Sequence, residues 1–326
     1  MLPDSGISDK LNPLGYTSES RLPSERREAH GEIRDYLRNR HVNESRGFPS
    51  DDSQLAFWTL EQLLLDDGLI PENVAKRFSR DRIFGIGATI REFLGNLKAG
   101  KPWHASGPKS AGNGALMRIA PIVVPHLKTP TSDHWTDAVL CSMMTHNDAG
   151  STACCVAFVS MLWDLLPMTS PPEPIWWLEK YIEVASQFEG NSEYRSRAPA
   201  HQTVRGPIHR FVDESVRAAY EDKLLVVDAC NRWHSGAYLL ETMPSVIFIL
   251  MRYGHDPEEA IVRAVNDTWD NDTIAAIVGA AVGALHGRDA IPQRWIANHS
   301  GRTTDRDDGK MFELIQDARR RWGDTH

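Results

Sequence analysis

Two short stretches carry the residues best suited to chemistry. "SDDSQ" (residues 50–54) sets Asp51 and Asp52 side by side ahead of an apolar run, and "WDNDTIAAIVGA" (269–280) sets Asp270, Asp272 and Thr273 ahead of another. Taken singly, each is an ordinary helix start. Ser50 or Asp51 makes a good N-cap, and first-turn acids suit the helix dipole. Taken together they say more, because each offers two carboxylates and a hydroxyl where a core-type helix begins. Oxygen-only donors suit Mg²⁺ or another hard cation rather than Zn²⁺. If the two starts meet, unit charges about 4 Å apart repel by roughly 4 kcal/mol per pair at an effective dielectric of about 20. Four acids in one place would then call for cations or for protonation, and two divalent ions would neutralise them.

Two further stretches add weaker signals. In "SAGNGALMRIAP" (110–121), Gly112-Asn113-Gly114 precedes a segment read as helical. Glycines permit close backbone approach, and free N–H groups at a helix start favour an anion such as pyrophosphate; an ordinary flexible turn is the plainer reading. "GIGATIREFL" (85–94) is a similar Gly-x-Gly. In "THNDAGST" (145–152), His146 lies between two helical segments, where a histidine is more often a cap or packing residue than a catalyst.

The elements that must hold these residues read as helices throughout. "DDSQLAFWTLEQLLLDDG" has apolar residues at helical spacing and stops at Asp-Asp-Gly, and "PENVAKRFS" begins with proline at a first turn. "SDHWTDAVLCSMMTH", "DAGSTACCVAFVSMLWDLLP", "PEPIWWLEKYIEVASQF", "IHRFVDESVRAAYE", "GAYLLETMPSVIFILMRYG", "DPEEAIVRAVND" and "GKMFELIQDARRRWG" continue the pattern. No stretch alternates convincingly as a strand. Residues 191–207 read as a long exposed loop. The expectation is a compact, single-domain, multi-helix all-α fold over 49–326, preceded by a polar segment, 1–48, that is part of the same unit or partly disordered. Gly279, Gly283 and Gly287, four apart, predict close helix packing in a core.

Composition narrows the class. The chain has 326 residues, 41% hydrophobic and 25% charged, as in soluble globular proteins. The net charge of −8 argues against non-specific nucleic-acid binding, which leans on Lys and Arg at phosphates. The longest apolar run, 274–285, is too short to span a bilayer, so no membrane role is expected. Cys141, Cys154, Cys155 and Cys230 form no CxxC pair and read as small buried hydrophobes of a reducing compartment. With a first segment unlike a secretory signal, the expected location is cytoplasmic.

In this order, "SDDSQ", "GNGALMR", "THND", "SGAYLLETMPS" and "DNDTIAAIVGAAVGALHG" resemble the ADP-ribosylglycohydrolase family, the relatives of dinitrogenase-reductase-activating glycohydrolase. Each motif alone is weak, and five in the right order are strong. The resemblance implies an all-α fold with a two-Mg²⁺ centre, in which Mn²⁺ can substitute. It implies that Ser50, Asp51, Asp52, Asp270, Asp272 and Thr273 hold the metals. Gly112, Asn113 and Gly114 would cradle the phosphates of ADP-ribose, with His146 nearby, and Tyr238 would border the nucleoside. The implied reaction removes ADP-ribose from a modified protein, nucleic acid or small molecule, with Asp51 or Asp52 receiving the proton of the attacking water. A member that binds ADP-ribose or a protein partner without turnover, and a different Mg²⁺-dependent hydrolase, are the competing readings.

The sequence departs from the family pattern in places. Ser50 and Ser53 stand for threonines, Trp269 for a glycine and Asn271 for a threonine. The family's opening Gly-Asp-Ala-x-Gly motif and its following glutamate do not occur, and Glu19, Glu25, Glu28 and Glu32 are the candidates for that glutamate. The expectation is a more open site with slower turnover. Either residues 1–48 cover the exposed groove through Leu11, Leu14, Tyr16 and Leu22, or a partner chain does.

Overall fold

The helical spacing of apolar residues predicts a bundle, and a bundle is what forms. The computed structural model describes residues 47–128 and 133–323. The expectations placed on Leu11, Leu14, Tyr16, Leu22 and the four N-terminal glutamates fall outside those residues. The chain divides into two units: Phe48–Gln293 with Ser300–His326, and Met1–Gly47 with Arg294–His299. Within the second, the Gly47 N–H donates to the Asn298 carbonyl at 2.7 Å, and Gly47 bridges His299 in parallel fashion.

The first unit is all-α. Its helices are α1 (Asp51–Asp66), α2 (Pro71–Phe78), α3 (Ala88–Lys98), α4 (Trp103–Ser106), α5 (Asp133–Thr145), α6 (Ala149–Leu165), α7 (Pro174–Glu189), α8 (Ile208–Glu221), α9 (Val226–Trp233), α10 (Leu239–Tyr253), α11 (Pro257–Asn266) and α12 (Asn271–His286). After the short α13 (Gln293–Ala297) the chain closes with α14 (Lys310–Trp322). The described β-structure is one antiparallel pair of two-residue strands, β1 (Tyr194–Arg195) and β2 (Arg205–Gly206). The segment read as a plain loop is therefore a small hairpin between α7 and α8. Its base is closed by Glu189, whose buried carboxylate accepts the Ile208 N–H and, at 2.9 Å, the His209 N–H.

Two predominantly apolar helices are buried almost all round, which puts them at the centre. α6 buries Ala153 through Leu162 without a break, and α10 buries Leu239 through Met251. α7, α8, α9, α11 and α12 pack around this pair. A second apolar cluster, with Leu55, Trp58, Val74, Phe78, Ile90, Phe93, Met117 and Met144, lies along the first half of α1 and anchors the acids at its start. The four cysteines are buried and unbridged. No described helix is long and apolar enough to cross a membrane.

Two expectations fail. Residues 115–126 do not form an α-helix: they make two 3₁₀ helices, Leu116–Arg118 and Ala120–His126, because Pro121 and Pro125 bring no N–H to an i→i−4 ladder. The glycines of α12 do not mark close packing against any described element either. Apart from α12's own neighbouring backbone, nothing among the described residues lies within 4 Å of where a Cβ at Gly279 or Gly283 would stand, and Gly287 terminates the helix at φ +74°.

Candidate metal centre and its surroundings

The acids at the starts of α1 and α12 do not cap their helices. Ser50 and Asp270 occupy the N-cap positions, and neither side chain accepts a helix N–H. The Ser50 hydroxyl instead donates to Asp52 Oδ2 at 2.6 Å, and Asp272 Oδ1 accepts the adjacent Thr273 N–H at 3.0 Å. The two helix starts face each other, so that Asp51, Asp52 and Asp272 each bring a carboxylate oxygen within 4.8 Å of the other two. Those three could hold one metal ion. Asp270 stands beside them, its Oδ2 accepting from the Asn113 amide at 2.6 Å.

Crowding shows in the electrostatics. Burial, then the neighbouring Asp52, pushes Asp51 up to about 7, and burial, then Asp272, does the same to Asp52. Asp270 is also raised, chiefly by burial, and its bond from Asn113 opposes the rise. Asp52 is 2% exposed, and its Oδ1 has no hydrogen-bond partner among the described residues. A buried carboxylate oxygen without a donor, beside two further carboxylates, fits a bound hard cation.

The walls are held from three directions. Gln54 takes the Phe84 N–H on its Oε1 at 2.8 Å and donates to the carbonyls of Arg82 at 3.1 Å and Thr303 at 2.8 Å. This brings Gly85, at φ +66°, so near that a Cβ there would lie 3.1 Å from Asp51 Oδ1. The Gly-x-Gly at 85–87 thus bears on the acid site rather than on an anion. On another side, Asp270 is tied through its N–H to the Ser235 carbonyl at 3.0 Å. Asn113 Nδ2 also reaches Thr242 Oγ1 at 2.9 Å, so Asn113 braces an acid rather than facing outward.

The glycine loop differs from its expected form. Gly112 bridges Tyr238 in antiparallel fashion. The Gly112 N–H donates to Ser110 Oγ at 3.2 Å and the Asn113 N–H to the Ala237 carbonyl at 3.1 Å, so the first two N–H groups of the loop are engaged within the protein. The two glycines instead provide room. A Cβ at Gly114 would stand 2.9 Å from His146 Cε1 and 3.1 Å from Nε2, and one at Gly112 would stand 3.6 Å from Nε2. His146 is buried against this loop. Its Nδ1 pairs with Thr145 Oγ1 at 3.0 Å, and burial, then the nearby Arg118, pushes it down to about 3, leaving a neutral ring.

Beyond the glycine loop stand groups that sequence reasoning did not single out. The Tyr194 hydroxyl donates to Asp148 Oδ1 at 2.6 Å. Arg197 clasps the wholly buried Glu241 through Nε at 2.8 Å and Nη2 at 2.9 Å, and lies 4.7 Å over the Tyr238 ring. Glu241 in turn needs Gly236, where a Cβ would come within 2.7 Å of Oε2. A glutamate inside the apolar run "YLLETMPSVIF" was the available signal for Glu241. Tyr194 and Arg197 sit in a polar stretch with no pattern to mark them.

An all-α fold that draws acids from two helix starts into one cluster, with Asp52 buried and Asp272 open to solvent, beside a glycine loop backed by a neutral histidine, defines a helical protein with a candidate hard-cation centre. The chain belongs to the ADP-ribosylglycohydrolase family, whose sequence pattern matches residues 13–323. It is 24% identical to the human ADP-ribosylhydrolase ARH3, over 76% of this chain and 73% of that protein. It is 25% identical to the ADP-ribosylarginine hydrolase Tri1 of Pseudomonas putida, over 66% of this chain and half the length of that relative. A solved structure described as an ADP-ribosylglycohydrolase-related protein complex superposes with a TM-score of 0.61 at 25% identity, covering 84% of this chain and 82% of the other.

Proposed function

We propose that the protein is a hydrolase that removes ADP-ribose from a modified protein, nucleic acid or small molecule, with two Mg²⁺ ions at the acid cluster, where Mn²⁺ can substitute. The observation that carries the reading is the convergence of Asp51, Asp52 and Asp272 from two helix starts, with a buried Asp52 oxygen left without a donor among the described residues, in a chain of this family. Ser50, Asp51 and Asp52 from one helix start, and Asp270, Asp272 and Thr273 from the other, are the proposed metal ligands. The cations, when bound, supply charge neutralisation, orientation of the distal ribose and a lower pKa for the attacking water.

The chain's own groups do the rest. Water attacks C1″ of the distal ribose, the bond from C1″ to the acceptor breaks, and the acceptor departs with its electron pair and takes up a proton. The transition state has oxocarbenium character, as in other glycoside hydrolyses. Asp51 or Asp52 takes the proton released by the water. Asn113 holds Asp270 in place from the side of the glycine loop. Gly112 and Gly114 leave space for the phosphates, His146 backs that space, and Tyr238 borders the nucleoside.

The test is incubation with substrates ADP-ribosylated on arginine, serine, a nucleobase and a small metabolite, with and without Mg²⁺. Free ADP-ribose released from at least one of them, only with the metal, is the expected result. Metal-dependent binding without release from any would leave a binding protein, and metal-independent release would overturn the proposed centre.

A further inference from the structure

Arg118 is wholly buried, and its partners are all neutral. Nη1 donates to Cys141 Sγ at 3.1 Å, Nη2 donates to the Cys141 carbonyl at 3.0 Å and to Thr145 Oγ1 at 2.7 Å, and the guanidinium lies 5.1 Å from the Phe78 ring. Its Nε, buried as well, has no partner among the described residues. A buried cation held only by neutral groups is costly and calls for a reason.

The reason lies one bond further on. A guanidinium can only donate, so Thr145 Oγ1 accepts from Arg118. The threonine hydroxyl is then left with its own hydrogen to give. The acceptor on the page is His146 Nδ1 at 3.0 Å, and Thr145 makes no bond back to the carbonyl of its own helix. With Nδ1 accepting, a neutral imidazole carries its hydrogen on Nε2. Nε2 is the edge of the ring that lies against Gly112 and Gly114, whose lack of side chains lets the ring approach the loop this closely. The N–H groups of Gly112 and Asn113 are turned to partners inside the protein, so an anion at this loop finds fewer backbone donors and gains from a side-chain one.

We propose that Arg118 and Thr145 are positioning residues that lock His146 as a ring protonated at Nε2, aiming that N–H through the glycine loop at an anionic oxygen of the substrate. Arg118 polarises the threonine hydroxyl, Thr145 passes the direction on, and the glycines let the ring edge come up against the loop. The anionic oxygen belongs to a pyrophosphate, a step that rests on the function proposed above; the direction of the Arg118–Thr145–His146 chain does not.

Two measurements on the full chain test it. Long-range proton–nitrogen NMR of histidine-labelled protein, without ligand, should give His146 an unprotonated Nδ1 and a protonated Nε2; a protonated Nδ1 would overturn the proposal. Thr145→Val should lose that tautomer signature, weaken ADP-ribose binding and raise KM by about tenfold, the scale of one hydrogen bond, with kcat nearly unchanged. Thr145→Ser, which keeps the hydroxyl, should restore both. Loss of affinity in the serine variant as well, or a valine variant that keeps the Nε2–H signature and full affinity, would reduce Thr145 to packing and overturn the proposal. The expected tautomer, dependent on Thr145, in a protein that binds no ADP-ribose would uphold the chain of bonds and sink the hydrolase reading instead.

Discussion

Among the described helices, α1, α6, α11 and α12 each carry an aspartate at or beside the N-cap, and these four fall into two kinds. At α6 and α11 the aspartate caps: Asp148 Oδ1 accepts the N–H groups of Gly150 at 3.0 Å and Ser151 at 3.3 Å, and Asp256 Oδ1 accepts that of Glu259 at 3.1 Å. At α1 and α12 the N-cap side chains of Ser50 and Asp270 take no helix N–H, and the carboxylates of Asp51, Asp52 and Asp272 converge, Asp272 keeping one bond from the adjacent Thr273 N–H. A cap satisfies donors that the helix leaves over, typically about 1 kcal/mol of stability. An acid that forgoes this gain and accepts like-charged neighbours is placed for a ligand rather than for the helix. The same residue type before the same kind of helix therefore carries two meanings, and the direction of its oxygens tells them apart.

Substitution should pull the two kinds apart in opposite senses. The largest effect belongs to the converging acids. Asp52→Asn with Asp272→Asn should lower ADP-ribose release by at least about a thousandfold, several kcal/mol of transition-state stabilisation, and abolish Mg²⁺ binding in calorimetry. The same pair should raise the Tm of the metal-free protein by about 2–4 °C at neutral pH, because it removes repulsion. A lower Tm would mean that these acids serve the fold after all.

Next comes Asp148→Ala, expected to cost about 2 kcal/mol in denaturant unfolding, since a cap is lost and the Tyr194 hydroxyl loses its acceptor. It should leave Mg²⁺ affinity unchanged. Smaller and dependent on pH is the behaviour of the metal-free cluster. Asp51 and Asp52 are raised in the fold to about 7, well above the value near 4 of an unfolded carboxylate. Between those values the folded state holds more protons than the unfolded one, so their contribution to stability is whole below about pH 4 and is lost as pH rises through about 7. A cation competes with those protons. The rise in Tm on adding Mg²⁺ should therefore be larger at about pH 8 than at about pH 5, and a rise independent of pH would place the cation elsewhere. Smallest is Asp256→Ala, at about 1 kcal/mol, with hydrolysis untouched.

The acid pairs were legible because adjacent carboxylates before an apolar helix are a local pattern, and two such patterns invite pairing. What the sequence could not give was the direction of their oxygens, which depends on the distant partner helix. Gly112 and Gly114 were legible as a place of close approach, yet the expected helix start dissolved at Pro121 and Pro125, and the N–H groups went to Ser110 and Ala237. The helices themselves read well because periodicity is local. The pairing of Arg197 with Glu241 was out of reach: they are 44 residues apart, and only the folded chain joins a polar loop to an apolar helix. Gly279 and Gly283 misled because spacing alone does not say whether anything packs against a face.

The hairpin between α7 and α8 is fastened at Tyr194 and Arg197, to two different helices. Its far turn, Gln202 and Thr203, is exposed. In the course of descent such a strip divides into a part that must keep its length and a part that need not. A residue gained or lost between Tyr194 and Arg197 would pull one anchor from its socket. At Gln202–Thr203 the chain can lengthen without disturbing either. That turn is where lineages can diverge, and where a graft can be inserted, while the anchored half stays as it is.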